Sequence, residues 1–150
     1  MKPIRIEIRL DCPVDHAWET FSDRESMKLW VQGYDSMRHL SGEEEFAGAV
    51  YELTFVEGKR KVVMTQSITA LEPPHYFAFE AAATGMQSRS STRLSADGEG
   101  TKIVAENEFF PTNFLMRLLM PLMGGSIRKR IQSDFDRLKK LAEKRYQAQA

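Results

Sequence analysis

"GAVYELTFVEGKRKVVMTQSITALEPP", residues 48–74, decides the fold. Tyr51, Leu53 and Phe55 fall on one face of a first run, and Val62, Met64, Gln66 and Ile68 on one face of a second, the period of two that belongs to β-strands. Glu57-Gly58 joins the two runs as a turn, and Pro73-Pro74 stops the second because proline cannot donate to a strand ladder. Consecutive strands joined this closely pair antiparallel.

Outward from this hairpin the same grammar continues. "YFAFEAAATG", "MQSRSSTRLSADGEG" and "TKIVAENEFF" are further strand runs, with turns at Thr84-Gly85 and at Asp97-Gly98-Glu99-Gly100. About six strands therefore lie between Gly33 and Phe110, and no helical crossover separates them, so the sheet is an antiparallel meander. Upstream, Ile4, Ile6, Ile8 and Leu10 alternate with charged residues in one more strand, which ends at "DCP". Pro13 suits a first helical position, Asp15 favours the positive end of a helix, and Val14, Ala17, Trp18 and Phe21 recur at helical spacing. "SDRESMKLW" restarts the signal as a second short helix, capped by Ser22 or Asp23. After Pro111 the period is helical to the end, with Ile127, Ile131, Phe135, Leu138 and Ala142 in one apolar stripe. The order is strand, two short helices, about six strands and one long helix, an α+β chain whose last helix is the element able to cover the apolar face of the sheet.

A chain of 150 residues has the size of one domain, residues 1–150. Its 42% hydrophobic and 28% charged residues belong to a folded globular protein. The formal net charge of zero gives no support to nucleic-acid binding. The single cysteine, Cys12, excludes an internal disulfide and a multi-cysteine metal site, which fits a reducing compartment. "MKPIRIEIRL" has no continuous apolar core and is neither a signal peptide nor a membrane helix, so the expected location is the cytoplasm.

Four passages carry a resemblance to a known superfamily: "CPVDHAWETFSDRESMKLW", "ITALEPPHYFAF", "GEGTKI" and "FDRLKKLAEK". In this order they resemble the START-like superfamily, also called Bet v 1-like or SRPBCC, the polyketide cyclase/dehydrase and lipid transport group. The resemblance covers essentially the whole chain. It implies a helix-grip fold, a curved antiparallel sheet of about seven strands wrapped around a long C-terminal helix, with a cavity between. It also implies binding of a sterol, lipid, polyketide, quinone or similar small hydrophobic molecule. Some relatives catalyse ring closure or dehydration and others bind partner proteins, and a shared fold does not choose among these.

The strand registers place Tyr51, Leu53, Phe55, Met64, Gln66, Ile68, Phe77, Phe79, Ser88, Ser90, Thr92, Ile103, Ala105, Asn107 and Phe109 on the face toward the helix. Mostly apolar, with a few neutral hydrogen-bonding groups, this set fits a cavity for an apolar ligand with some polar atoms. The other reading is an ordinary core with its hydroxyls near strand ends. The expected ligand-binding residues are Trp30, Tyr51, Leu53, Phe55, Met64, Gln66, Phe77, Phe79, Ser88, Ser90, Asn107, Phe109, Met116, Met120 and Met123.

Acid–base chemistry needs an ionisable group in the pocket, and this face supplies no carboxylate, His or Lys. Glu80, Arg89, Glu106 and Glu108 would enter it only with a one-residue slip of their strands, so they are expected to face solvent or pair across strands. His16, His39 and His75 do not gather with acids into a metal motif. No phosphate-cradling glycine loop or dinucleotide fingerprint appears, and no cofactor is expected. His39, beside Trp30 and Tyr34, is the first candidate if catalysis exists, and Cys12 reads as a structural residue.

"FLMRLLMPLMGGSIRKR", residues 114–130, is too short and too interrupted to cross a bilayer. Pro121 removes a helical hydrogen bond and Gly124-Gly125 weakens the next turn, so the helix is expected to break or kink. Met116, Met120 and Met123 can repack around differently shaped apolar partners. The segment is read either as a moving wall of the cavity mouth hinged at Gly124-Gly125, or as a fixed kinked helix packed on the sheet or a second subunit. Arg128, Lys129 and Arg130 behind it raise transient contact with an anionic membrane. Monomer and homodimer both remain open.

Overall fold

The computed structural model describes residues 1–149. Seven strands, β1 (Ile4–Leu10), β2 (Tyr34–Ser41), β3 (Val50–Glu57), β4 (Arg60–Glu72), β5 (Tyr76–Ala83), β6 (Met86–Asp97) and β7 (Gly100–Pro111), form one antiparallel sheet. Its order is β1-β7-β6-β5-β4-β3-β2, so β2 to β7 are a continuous meander and the first strand closes onto the last. The expected hairpin is present, with Leu53 opposite Met64 and Tyr51 opposite Gln66.

Between β1 and β2 lie α1 (Val14–Ser22), a 3-10 turn (Arg24–Ser26) and the single turn α2 (Met27–Trp30). Pro13 stands one position earlier than expected, as the N-cap with extended ψ of 158°, and its carbonyl accepts from the Ala17 amide at 3.0 Å. Ala17 and Trp18 are the buried apolar side of α1.

The last helix, α3, runs Phe114–Gln149. Asn113 caps it, its Oδ1 accepting from the Met116 amide at 2.9 Å. Of the break or kink expected near Pro121, the break does not occur, and the helix continues through Pro121, Gly124 and Gly125. Pro121 lacks one N–H, while Met120, fully buried next to it, and Ile127, packed on the core, hold the helix on both sides of the weak turn.

Two apolar clusters result. The larger joins β1, α1, Trp30, β6 and β7 to Phe135, Leu138 and Ala142 of α3. The smaller, Ala49, Tyr51, Leu53 and Ile68, sits at the β3–β4 side, and Leu71 and Phe77 pack against both. Cations of α3 tie the helix to the rest of the chain, as Arg137 Nε donates to the Trp30 carbonyl at 3.1 Å and Lys139 Nζ to the Arg9 carbonyl at 2.7 Å. Arg145 donates to Ser26 Oγ at 2.8 Å, and Arg130 donates to the Gln32 carbonyl at 2.9 Å while pairing with Glu57. The basic face of α3 is therefore partly a set of clamps, and the Gln32 and Trp30 acceptors lie more than ninety positions away in the chain.

Candidate functional site

Cross-strand register builds the inner face row by row. Ile68 stands opposite Phe79, Phe79 opposite Ser90, Ser90 opposite Asn107, and Asn107 opposite Ile4. The next row runs through Leu71, Phe77, Thr92, Ala105 and Ile6, after an irregularity between Ile68 and Ala70 that restores the inward direction of Leu71. On the other side, Gln66, Ala81, Ser88 and Phe109 form a third row.

Burial along these rows is uneven. Trp30 lies in the closed larger core, its ring 5.8 Å from Phe135 and 5.9 Å from Phe21. Tyr51 and Leu53 lie in the smaller cluster, with Phe55 and Phe77 packed against it. Gln66, Ser90 and Met120 are also buried. Between the two clusters Met64, Phe79, Ser88, Asn107 and Phe109 are only half-buried although they face inward, and so are Met116 and Met123 on the facing side of α3. These half-buried side chains are mostly rings and thioethers, and Ser88 and Asn107, with the buried Gln66 and Ser90 beside them, are the polar members of the inner face.

The Ser90 hydroxyl donates to Asn107 Oδ1 at 2.8 Å, which orients the amide and leaves Asn107 Nδ2 without a partner among the described residues. Trp30 Nε1 is likewise unpartnered among them. A buried donor left unpaired costs free energy that a ligand acceptor can return. Gly85, at φ +84° in the β5–β6 turn, lets the turn approach the start of α3, since a Cβ there would lie 2.7 Å from Met116 Cγ.

Sequence reasoning missed Arg24. The 3-10 turn brings its Nη2 to 2.7 Å from the Tyr51 hydroxyl, with the guanidinium carbon 4.7 Å from the ring centroid. His39 also packs on Tyr51, ring centroids 5.4 Å apart, and its Nε2 is bound to the Gly42 carbonyl at 2.7 Å. Nothing in the local sequence pairs Arg24 with Tyr51, because the contact joins a turn to a strand 27 positions on. Burial pushes the Tyr34 hydroxyl above its ordinary pKa.

The carboxylates stay outside. Glu80 and Arg89 face each other across β5 and β6 with 3.7 Å between charged atoms, Glu108 is opposite Arg89, and Glu106 is opposite Arg5. His16 packs on Tyr146 and His75 Nδ1 meets the Leu94 carbonyl at 3.0 Å. Among the described residues no group of His, Cys, Asp and Glu could hold a metal ion. Cys12 is buried and burial pushes its thiol up to about 11, so it stays a thiol at neutral pH. A cleft of about 610 Å³ lies outside the grip, between α1, the 3-10 turn and the C-terminal end of α3. Charges of both signs line it, and its cations are engaged, Arg24 with Glu44 and Tyr51, Arg145 with Ser26.

A seven-stranded curved antiparallel sheet holding a long C-terminal helix, with short helices after the first strand, defines a helix-grip protein of the Bet v 1-like class. The model of the polyketide cyclase/dehydrase and lipid transport family matches residues 1–143, and the chain belongs to that family. Solved structures agree on the fold. The Zhui aromatase/cyclase from Streptomyces sp. R1128 superposes with a TM-score of 0.80 at 14% identity, over 96% of this chain and 94% of that one. TTHA0849 from Thermus thermophilus gives 0.75 at 16% identity over 94% and 97%. Ara h 8.0201 gives 0.71 at 16% identity over 94% and 97%. No curated protein matches the chain.

Proposed function

We propose that residues 1–150 form a single ligand-binding domain that holds a small hydrophobic molecule, a lipid, polyketide, quinone or similar compound, between the sheet and α3, for carriage or sensing in the cytoplasm. The half-burial of the inward-facing Met64, Phe79, Ser88, Asn107 and Phe109 carries this reading, as the lining of a trough between the sheet and α3. A helix packed only for stability would bury these inward-facing side chains fully, because interiors are close-packed. The free Asn107 amide donor adds that the ligand presents a hydrogen-bond acceptor, such as a carbonyl oxygen, to β7. Family membership supports the hydrophobic character of the ligand. In the same reading the 114–130 region touches a membrane transiently when ligand is exchanged.

A cyclase or dehydratase draws support from the same membership. It is the weaker reading, because Glu80, Arg89, Glu106 and Glu108 face away from the trough and His39 is tied to Gly42 at the sheet edge. Native mass spectrometry of the purified protein, followed by organic extraction, tests carriage. A retained lipid, quinone or aromatic compound is the expected result, and a clean mass of 17.2 kDa that persists after incubation with such compounds would overturn it.

The first part of α3 is the gate in this reading. An added Cβ at Gly124 would meet Met1 Sδ at 3.4 Å, ordinary contact, and one at Gly125 meets nothing within 4 Å. The double change Gly124→Ala and Gly125→Ala is therefore expected to stiffen the helix, by up to about 1 kcal/mol per site, without a clash. Ligand uptake and release followed by stopped-flow fluorescence should slow; unchanged rates would remove the hinge.

A further inference from the structure

The two sides of the first turns of α3 differ. Met120 is buried and Met116 and Met123 are half-buried toward the grip, whereas Phe114, Leu115, Leu118, Leu119 and Leu122 point away from it. Phe114 is 73% exposed, Leu118 58% and Leu122 81%. The spacing 114, 118, 122 and 115, 119, 122 places all five on one helical face. Five large apolar side chains contiguous on one face form the kind of patch that marks an interaction surface.

Charge identifies the occupant. From Phe109 to Ser133 the chain has no Asp or Glu and four cations, Arg117, Arg128, Lys129 and Arg130. Arg130 is spent on Glu57 and the Gln32 carbonyl, and Arg128 donates to the Arg5 carbonyl at 3.3 Å. The side chains of Arg117 and Lys129 are exposed and enter none of the hydrogen bonds or ion pairs among the described residues. Lys129 lies one turn beyond Gly125 on the exposed apolar side, Arg117 at the flank of the patch.

We propose that this face of α3 docks on the surface of an anionic lipid bilayer, with Phe114, Leu115, Leu118, Leu119 and Leu122 entering the acyl boundary and Arg117 and Lys129 meeting lipid phosphates. No helix among the described residues is long and apolar enough to cross a membrane, so the helix lies in the interface and does not span it. A second copy of the chain is the poorer occupant. A twofold contact sets the same patch against itself, bringing Arg117 and Lys129 toward their own copies with no acid within the patch to pair them. The inference rests on the ligand-exchange reading for its purpose. The membrane-facing Leu row and the trough-facing Met row share two turns of one helix, so docking brings the trough mouth to the bilayer.

Cosedimentation of the full chain with vesicles tests it, using phosphatidylcholine alone and phosphatidylcholine mixed with phosphatidylglycerol. Binding to the mixed vesicles is expected, weakening with salt and much weaker without the anionic lipid. The double variant Leu118→Ser, Leu122→Ser should bind on the order of tenfold less or weaker, since both side chains leave the apolar contact. Its thermal midpoint should stay within a few degrees of the parent's because neither leucine is buried, and Arg117→Glu with Lys129→Glu should abolish the preference for anionic vesicles. No binding of the parent at low salt, or equal binding by parent and leucine variant, overturns the proposal. So does a dimer that the leucine variant dissociates while vesicles capture neither protein. Extraction of ligand from the same preparations separates the two readings, since docking without a ligand sinks carriage alone and a ligand without docking sinks the membrane face alone.

Discussion

Leu138→Ala is expected to lower the free energy of unfolding by roughly 2–5 kcal/mol. Leu138 is 0% exposed and stands in the larger cluster with Ile4, Ile6, Trp30, Ile103 and Phe135, where the helix covers the sheet. Truncation removes the transfer free energy of the side chain and leaves a cavity among residues held by the strand ladder on one side and α1 on the other. Helix propensity does not contribute to the loss, since alanine is the better helix former. Urea denaturation should show a lower midpoint at an unchanged slope. Leu122→Ala on the same helix is the internal comparison. Leu122 is 81% exposed, so its truncation should change stability by no more than about 0.5 kcal/mol. A loss below about 1 kcal/mol at Leu138 would mean that the helix does not close the core as described.

That contrast shows where the sequence was readable. Alternation in residues 48–74 and in the later runs specifies which side chains share a face, because a one-residue slip in any strand would turn its apolar set outward. That Leu53 shares a face with Met64, and Phe79 with Ser90 and Asn107, follows from that alternation, and the outward direction of Glu80, Arg89, Glu106 and Glu108 follows with it. Residues 114–123 are different. Phe, Leu and Met occupy both sides of the helix there, so no contrast between apolar and polar residues marks which side meets the sheet. The division into a Met row inside and a Leu row outside needs the tertiary orientation that Phe135, Leu138 and Ala142 impose further along.

Long-range polar contacts were equally hidden. Arg24 reaches Tyr51, and Arg137 reaches the Trp30 carbonyl, through geometry that no local pattern encodes. Trp30 shows the same limit from the other direction. It reads as one of the ligand-binding residues, and the structure seats its ring among Phe21 and Phe135, because the turn α2 tips it under α3. Of the polar residues expected in the trough, Ser90 and Asn107 were legible as inward-facing. Their mutual hydrogen bond depends on directly opposed positions on β6 and β7, and only the register supplies that.

The opposed pair makes a prediction in which two changes cost less than one. Ser90→Ala removes the sole protein partner of the Asn107 side chain among the described residues, leaving both ends of a largely enclosed amide without a hydrogen bond. An unsatisfied buried polar group costs about 1–3 kcal/mol, so the single variant should be destabilised by that order. Adding Asn107→Leu replaces the stranded amide with an apolar side chain of similar size, opposite Ile4 and two positions from Phe109 on the same face. The double variant should recover most of the loss and can exceed the parent, because the parent already carries the unpaired Nδ2. Chemical denaturation of the parent, both single variants and the double variant closes the cycle, and a coupling near zero would show that the two side chains do not act as a pair. Ligand affinity should move the opposite way. If Asn107 Nδ2 is kept free to receive an acceptor atom, the double variant gains stability and loses preference for a carbonyl-bearing ligand over its hydrocarbon analogue. Retention of that preference in the variant would place the acceptor elsewhere, and Gln66, buried one row away, would be the next donor to replace.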